Sequence, residues 1–95
     1  AIDFVIRQER LQGRAARDTR GRGAGDIESD GRIIEGKSYG GAWRSGVLYF
    51  TPPQLREGER NADYYVYIVE NVAQGNPSNF ELRALLARGA MWRGA

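Results

Sequence analysis

Apolar and polar positions change period several times along the 95-residue chain. In residues 1–15 (AIDFVIRQERLQGRA), Phe4, Leu11 and Ala15 fall on one helical face, and Gly13 weakens the end. Residues 17–25 (RDTRGRGAG) are polar and glycine-rich and read as a loop. In residues 26–37 (DIESDGRIIEGK), two extended runs flank Asp30-Gly31, a dipeptide suited to a two-residue type I′ hairpin turn. Residues 38–46 (SYGGAWRSG) form a second flexible stretch, and GVLYF (46–50) reads as a strand. TPPQLREGERN (51–61) predicts a short helix with Thr51 as its cap and Pro52 at its first position. YYVYIVEN (64–71) is rich in aromatic and β-branched residues and predicts a strand buried on both faces. Residues 72–79 (VAQGNPSN) read as turns, and FELRALL (80–86) as a last strand.

These elements predict a small α/β (α+β) domain, a mixed sheet flanked by helices. GVLYF, the helix and YYVYIVE form a strand–helix–strand step, which predicts a parallel pair with a right-handed crossover. The length argues for one domain spanning 1–95. The chain starts with Ala and ends in GAMWRGA, as a piece cut from a longer protein would. No apolar run approaches a membrane span and no signal-peptide pattern opens the chain, so a cytoplasmic location is expected.

Composition narrows the chemistry. There is no cysteine and no histidine. Disulfides, thiolate sites, the usual zinc ligands and His-based nucleophilic catalysis are excluded. A metal here would be held by oxygen, which favours Mg²⁺, Mn²⁺ or Ca²⁺. Arg7, Arg10, Arg14, Arg17, Arg20 and Arg22 face only Asp3, Glu9 and Asp18 in residues 1–24, leaving that end basic. A basic end suits phosphate, and equally a solvated Arg-rich surface.

Lys37 is the only lysine. With Asp30-Gly31 as the loop, Ile27 faces Ile34 on the core side and Asp26 faces Glu35 on the other, with Lys37 on the face of Glu35. Opposed carboxylates lie about 4.5–5.5 Å apart at Cβ and repel. A divalent cation would turn that repulsion into ligation. A plain salt-bridged surface face is the alternative, and a one-residue slip would separate the pair.

Asp26 followed by Glu35-x-Lys37 on the next strand resembles the PD-(D/E)xK nuclease superfamily. The element order also resembles that superfamily's restriction-endonuclease-like core. More narrowly, GAGDIES, RIIEGK and YYVYIVENVAQGNPSNFELRAL resemble the domain of unknown function named after the carboxy-terminal region of the plant protein NO VEIN, which accompanies helicase-like and restriction-type partner domains. The resemblance implies metal-dependent hydrolysis of nucleic acid, DNA rather than RNA, with no membrane partner. It implies that Asp26, Glu35 and the Gly36 carbonyl hold Mg²⁺ or Mn²⁺ and that Lys37 assists the attacking water. Glu9 and Gln54 stand at supporting positions. The alternatives are a surface ion pair for Glu9 and a capping box with Thr51 for Gln54. Gly36 departs from the apolar residue usual there and raises the expectation of a bulge that turns Lys37 away. Arg20, Arg22 and Arg44 are nucleic-acid-binding candidates, the first two in a loop that is otherwise a plain connector. Trp43 beside Arg44 reads either as a base platform or as the edge of the core, and Trp92 lies in a tail expected to fray or to join a neighbouring domain. The alternative function is a module of the same fold that binds nucleic acid or another partner without cutting.

Overall fold

A computed structural model of the protein describes residues 1–22, 25–44 and 46–86, so Trp92 lies outside the described residues. The hairpin forms as expected. Asp30 and Gly31 both take positive φ (45° and 88°), the geometry of a type I′ turn. They join β2 (Ile27–Ser29) to β3 (Arg32–Ser38), with Ile27 opposite Ile34. Before β2 lies a strand where a loop was expected, β1 (Ala16–Asp18), which pairs antiparallel with β2. Three residues are too few to display an alternation of their own, and only Ala16 is apolar.

Helix α1 spans Ile2–Leu11 and helix α2 spans Pro52–Arg60. The start of α2 is fixed by a full capping box. Thr51 Oγ1 accepts from the Gln54 N–H, and Gln54 Oε1 accepts from the Thr51 N–H (2.9 Å). β4 (Tyr64–Glu70) runs parallel to β3, and β5 (Glu81–Leu86) runs antiparallel to β4. The strand order β1-β2-β3-β4-β5 makes an open mixed sheet, with α2 in the crossover between β3 and β4. The turns expected in 72–79 are two short 3₁₀ segments.

The parallel partner of β4 is thus β3, and residues 46–50 form no strand. Their alternation has a different origin. Leu48 and Phe50 pack on the core as an extended segment, so period-2 burial is met without a hydrogen-bonded ladder.

β4 is buried on both faces, as its apolar run predicts. Tyr67 and Val69 join Val5, Ala16, Ile27 and Ile34 under α1. Tyr64, Val66 and Ile68 face the other way, against Ile33, Tyr39, Trp43, Leu48 and Phe50. The sheet therefore has an α1 face and a face covered by the 39–50 segment and α2. Among the described residues no helix is long and apolar enough to cross a membrane.

Candidate active site

Glu35 and Lys37 project from β3 on the α2 face. β3 passes through Gly36 without a bulge, because its register with β4 runs unbroken from Ile33–Tyr64 to Ser38–Val69. Lys37 therefore stays on the side of Glu35. The irregularity falls on the neighbouring strand. The Asp26 N–H donates to Ile34 O at 2.9 Å, one residue off the register that pairs Ile27 with Ile34, and the chain bends there. Gly25 permits the bend. A Cβ on it would lie 2.7 Å from Ile33 Cγ2 and 2.9 Å from Ile34 O. The bend aims Asp26 at β3, where its Oδ2 accepts the Gly36 N–H at 2.9 Å.

This brings the Asp26 and Glu35 carboxyls into hydrogen-bond contact. Glu35 is only 7% exposed, and burial pushes its carboxyl up to about 7, helped by the hydrogen bond and charge of Asp26. Lys37 and Gln54 oppose the rise but do not cancel it. Gln54 Nε2 donates to Glu35 Oε1 at 2.6 Å, while Gln54 Oε1 lies 3.5 Å from Lys37 Nζ. The two roles considered for Gln54 coexist, since its carbonyl closes the capping box and its amide nitrogen holds the acid. Lys37 Nζ also stands 5.2 Å from the centre of the Phe50 ring.

Tyr64 belongs to this neighbourhood and carried no signal of its own in the sequence, where it is one of three nearby tyrosines. Its hydroxyl is buried without a hydrogen-bond partner among the described residues. Burial raises its pKa first, followed by the charges of Glu35, Asp26 and Glu57. Gly25 was likewise overlooked, although a glycine directly before a candidate ligand is a legible sign of close approach.

Other expected residues lie elsewhere. Glu9 is buried on the α1 face. It receives Arg14 Nε at 2.6 Å and Arg14 Nη2 at 2.7 Å, accepts the Tyr67 hydroxyl at 2.9 Å, and has Ser29 as a further neighbour. Burial alone would raise its pKa, but these bonds outweigh burial and lower it. Glu9 is neither the surface pair nor the site acid considered from sequence, because α1 turns it toward Tyr67. Arg20 makes a forked pair with Asp18 (2.6 to 3.2 Å), and Arg22 Nη2 donates to Asp18 O at 3.2 Å. Arg20 remains close enough to Asp26 to feel its charge. Arg44 is exposed on the 39–50 segment, near Glu70. Trp43 is partly buried at the rim of the core, and its Nε1 donates to Val47 O at 3.1 Å.

Comparison with family models, with curated proteins and with solved structures finds no match to this chain.

The donors fit a hard divalent cation. All are oxygens: the Asp26 and Glu35 carboxylates and the Gly36 carbonyl, which on a strand faces the same edge as the Gly36 N–H that Asp26 accepts. Two touching carboxyls that hold a proton up to about 7 are a charge pattern that a cation relieves. Among the described residues no three Asp, Glu, His or Cys side chains converge, so water or substrate oxygens would complete the shell.

Proposed function

We propose that this domain hydrolyses phosphodiester bonds of nucleic acid, with DNA as the leading substrate and Mg²⁺ or Mn²⁺ as cofactor. One observation carries the reading: an acid pair with Glu35 raised to about 7 shares a sheet face with the single lysine. Perturbed acids beside a specific partner mark functional sites.

In this reading Asp26, Glu35 and the Gly36 carbonyl hold the cation, which supplies electrophilic activation of the phosphate and acidification of the attacking water. Gln54 fixes Glu35 Oε1 in place. Lys37 orients the water and offsets negative charge that grows on the phosphate. Arg20, near Asp26 but forked onto Asp18, would turn from Asp18 to meet a backbone phosphate. The restriction-endonuclease-like assignment of the fold belongs to this same proposal.

A second reading, a module that holds nucleic acid without cutting it, is favoured by one observation. Among the described residues the protein offers two converging carboxylates and not three.

The test is cleavage of circular single- and double-stranded DNA with Mg²⁺, Mn²⁺ or EDTA, comparing wild type with Lys37→Ala and Asp26→Asn. Metal-dependent cutting that falls about a hundredfold or more in both variants is expected. Equal cutting by all three proteins would remove the assigned roles. No cutting by wild type, with binding retained, would leave the binding module.

A further inference from the structure

The site has an apolar lip that its chemistry does not use. Tyr49 is 81% exposed, and Val47 and Leu55 are about half exposed beside it in the chain. Tyr49 is tied to the acid pair by its neighbours. Phe50 covers Lys37 at 5.2 Å, Thr51 shares the Gln54 carbonyl, and Gln54 holds Glu35. Consecutive Cα atoms lie about 3.8 Å apart, so Tyr49 stands one or two steps from the site wall. Phe50 packs inward while Tyr49 points to solvent. A large aromatic left this exposed beside a charged recess can take an occupant, and Lys37 together with the cation that Asp26 and Glu35 would hold favours an anionic one.

We propose that the lip selects single-stranded nucleic acid, with an unpaired base stacked on Tyr49 while the adjoining phosphate reaches Asp26, Glu35 and Lys37. This rests on the phosphodiester reading and names its substrate class. Stacking favours a single strand over a duplex. A paired base has both faces covered by its neighbours, so Tyr49 can stack only on a base that is splayed out.

The experiment is fluorescence anisotropy in Ca²⁺, a hard cation that oxygen donors also hold, at one fixed salt concentration, with labelled oligothymidine, labelled oligouridine and a labelled hairpin duplex. Wild type, Tyr49→Ala and Tyr49→Phe are compared. Tyr49 is a surface residue, so circular dichroism should match across the three. Wild type is expected to bind one or both single strands more tightly than the duplex. Tyr49→Ala should lose about tenfold or more on the strand and nothing on the duplex, and Tyr49→Phe should bind like wild type. Unchanged strand binding by Tyr49→Ala, a duplex bound as tightly as the strand, or no binding to any probe would each overturn the proposal. Replacing Ca²⁺ with Mg²⁺ separates the two readings. Tyr49-dependent strand binding with no cutting removes the hydrolase and leaves the lip. Duplex cutting indifferent to Tyr49 removes the lip and leaves the hydrolase.

Discussion

β4 carries two tyrosines, Tyr64 and Tyr67, into opposite faces of the sheet, and each sits near a buried glutamate. On the α1 face the buried acid and the tyrosine are both partnered, although the buried Ser29 Oγ on that face has no hydrogen-bond partner among the described residues. The Tyr67 hydroxyl donates to Glu9 and accepts from Arg32 (2.8 Å), Arg14 forks onto Glu9, and Arg32 lies 4.4 Å over the Tyr65 ring. On the α2 face the compensation is incomplete. Among the described residues, Glu35 faces Asp26, Lys37 reaches Gln54 and a ring, and the Tyr64 hydroxyl has no hydrogen-bond partner. Both faces bury acid, yet one lowers its pKa and the other raises it. A closed network is an explanation of stability. An open one is the pattern on which the proposed cation site rests.

The largest effect should come from breaking the closed face. Glu9→Ala removes the acceptor shared by Arg14 and the Tyr67 hydroxyl, and losing hydrogen bonds to a charged group costs about 1.5–3 kcal/mol each. Urea unfolding should show a domain close to its stability limit, since whole domains hold only about 5–15 kcal/mol. A loss under about 1 kcal/mol would mean that the α1 network is ornamental.

The opposite sign is expected on the open face. Glu35 has its pKa raised in the fold, so its contribution is complete below the ordinary value of 4.5 and is lost as pH rises through about 7. In EDTA the wild-type protein should therefore weaken between about pH 5 and pH 8, by an amount on the order of 3 kcal/mol. Glu35→Gln should be flat over that range and more stable than wild type at pH 8. Added Mg²⁺ should stabilise wild type there and leave Glu35→Gln unmoved. Glu9, with its lowered pKa, gives the reverse slope, losing stability as pH falls below the usual carboxylate range. Thermal melts across pH, with and without metal, read both limbs. A wild-type curve without the upper limb would remove the strain assigned to the acid pair.

The tyrosines themselves give a smaller and more selective contrast. Tyr67→Phe removes a hydroxyl that has two charged partners and should cost about 1–3 kcal/mol. Tyr64→Phe removes one with none and should be neutral, or stabilising by up to about 1 kcal/mol. Equal losses in the two variants would mean that Tyr64 has a partner on the α2 face after all.

Much of this contrast was written in local signals. Asp30-Gly31 demands two positive φ values, so the turn and the Ile27–Ile34 register were readable, whereas Asp26 leaves that register and meets β3 through a bend the turn does not announce. Thr51-Pro52-Pro53-Gln54 announced α2. The misplaced elements share one physical cause, since hydrophobic alternation reports burial and not which backbone a segment bonds to. Residues 46–50 alternate inward without a ladder, and β1 pairs with too few residues to alternate. The Glu9–Arg14 pair was hidden because its spacing of five is not a helical one. It forms because α1 ends at Leu11 and the Arg14 N–H turns back to Glu9 O at 3.0 Å. Tertiary approach, as at Gly25, has no sequence period at all.

Gly36 gives the finest test, because it lies between the two faces. A bulge there would have dismantled the site, yet β3 runs straight through it. A Cβ at Gly36 would meet Asp26 Oδ2 at 3.5 Å and Ile2 Cδ1 at 3.6 Å, both ordinary contacts, and its φ is not in the left-handed region. Gly36→Ala should therefore gain about 0.5–1 kcal/mol by restricting the unfolded chain. It should leave Lys37 in place, since the backbone N–H that Asp26 accepts is retained. A variant more stable but inactive would show that the site needs motion of β3 at Gly36. In that case the open face would owe its imbalance to flexibility of the strand as well as to its charges.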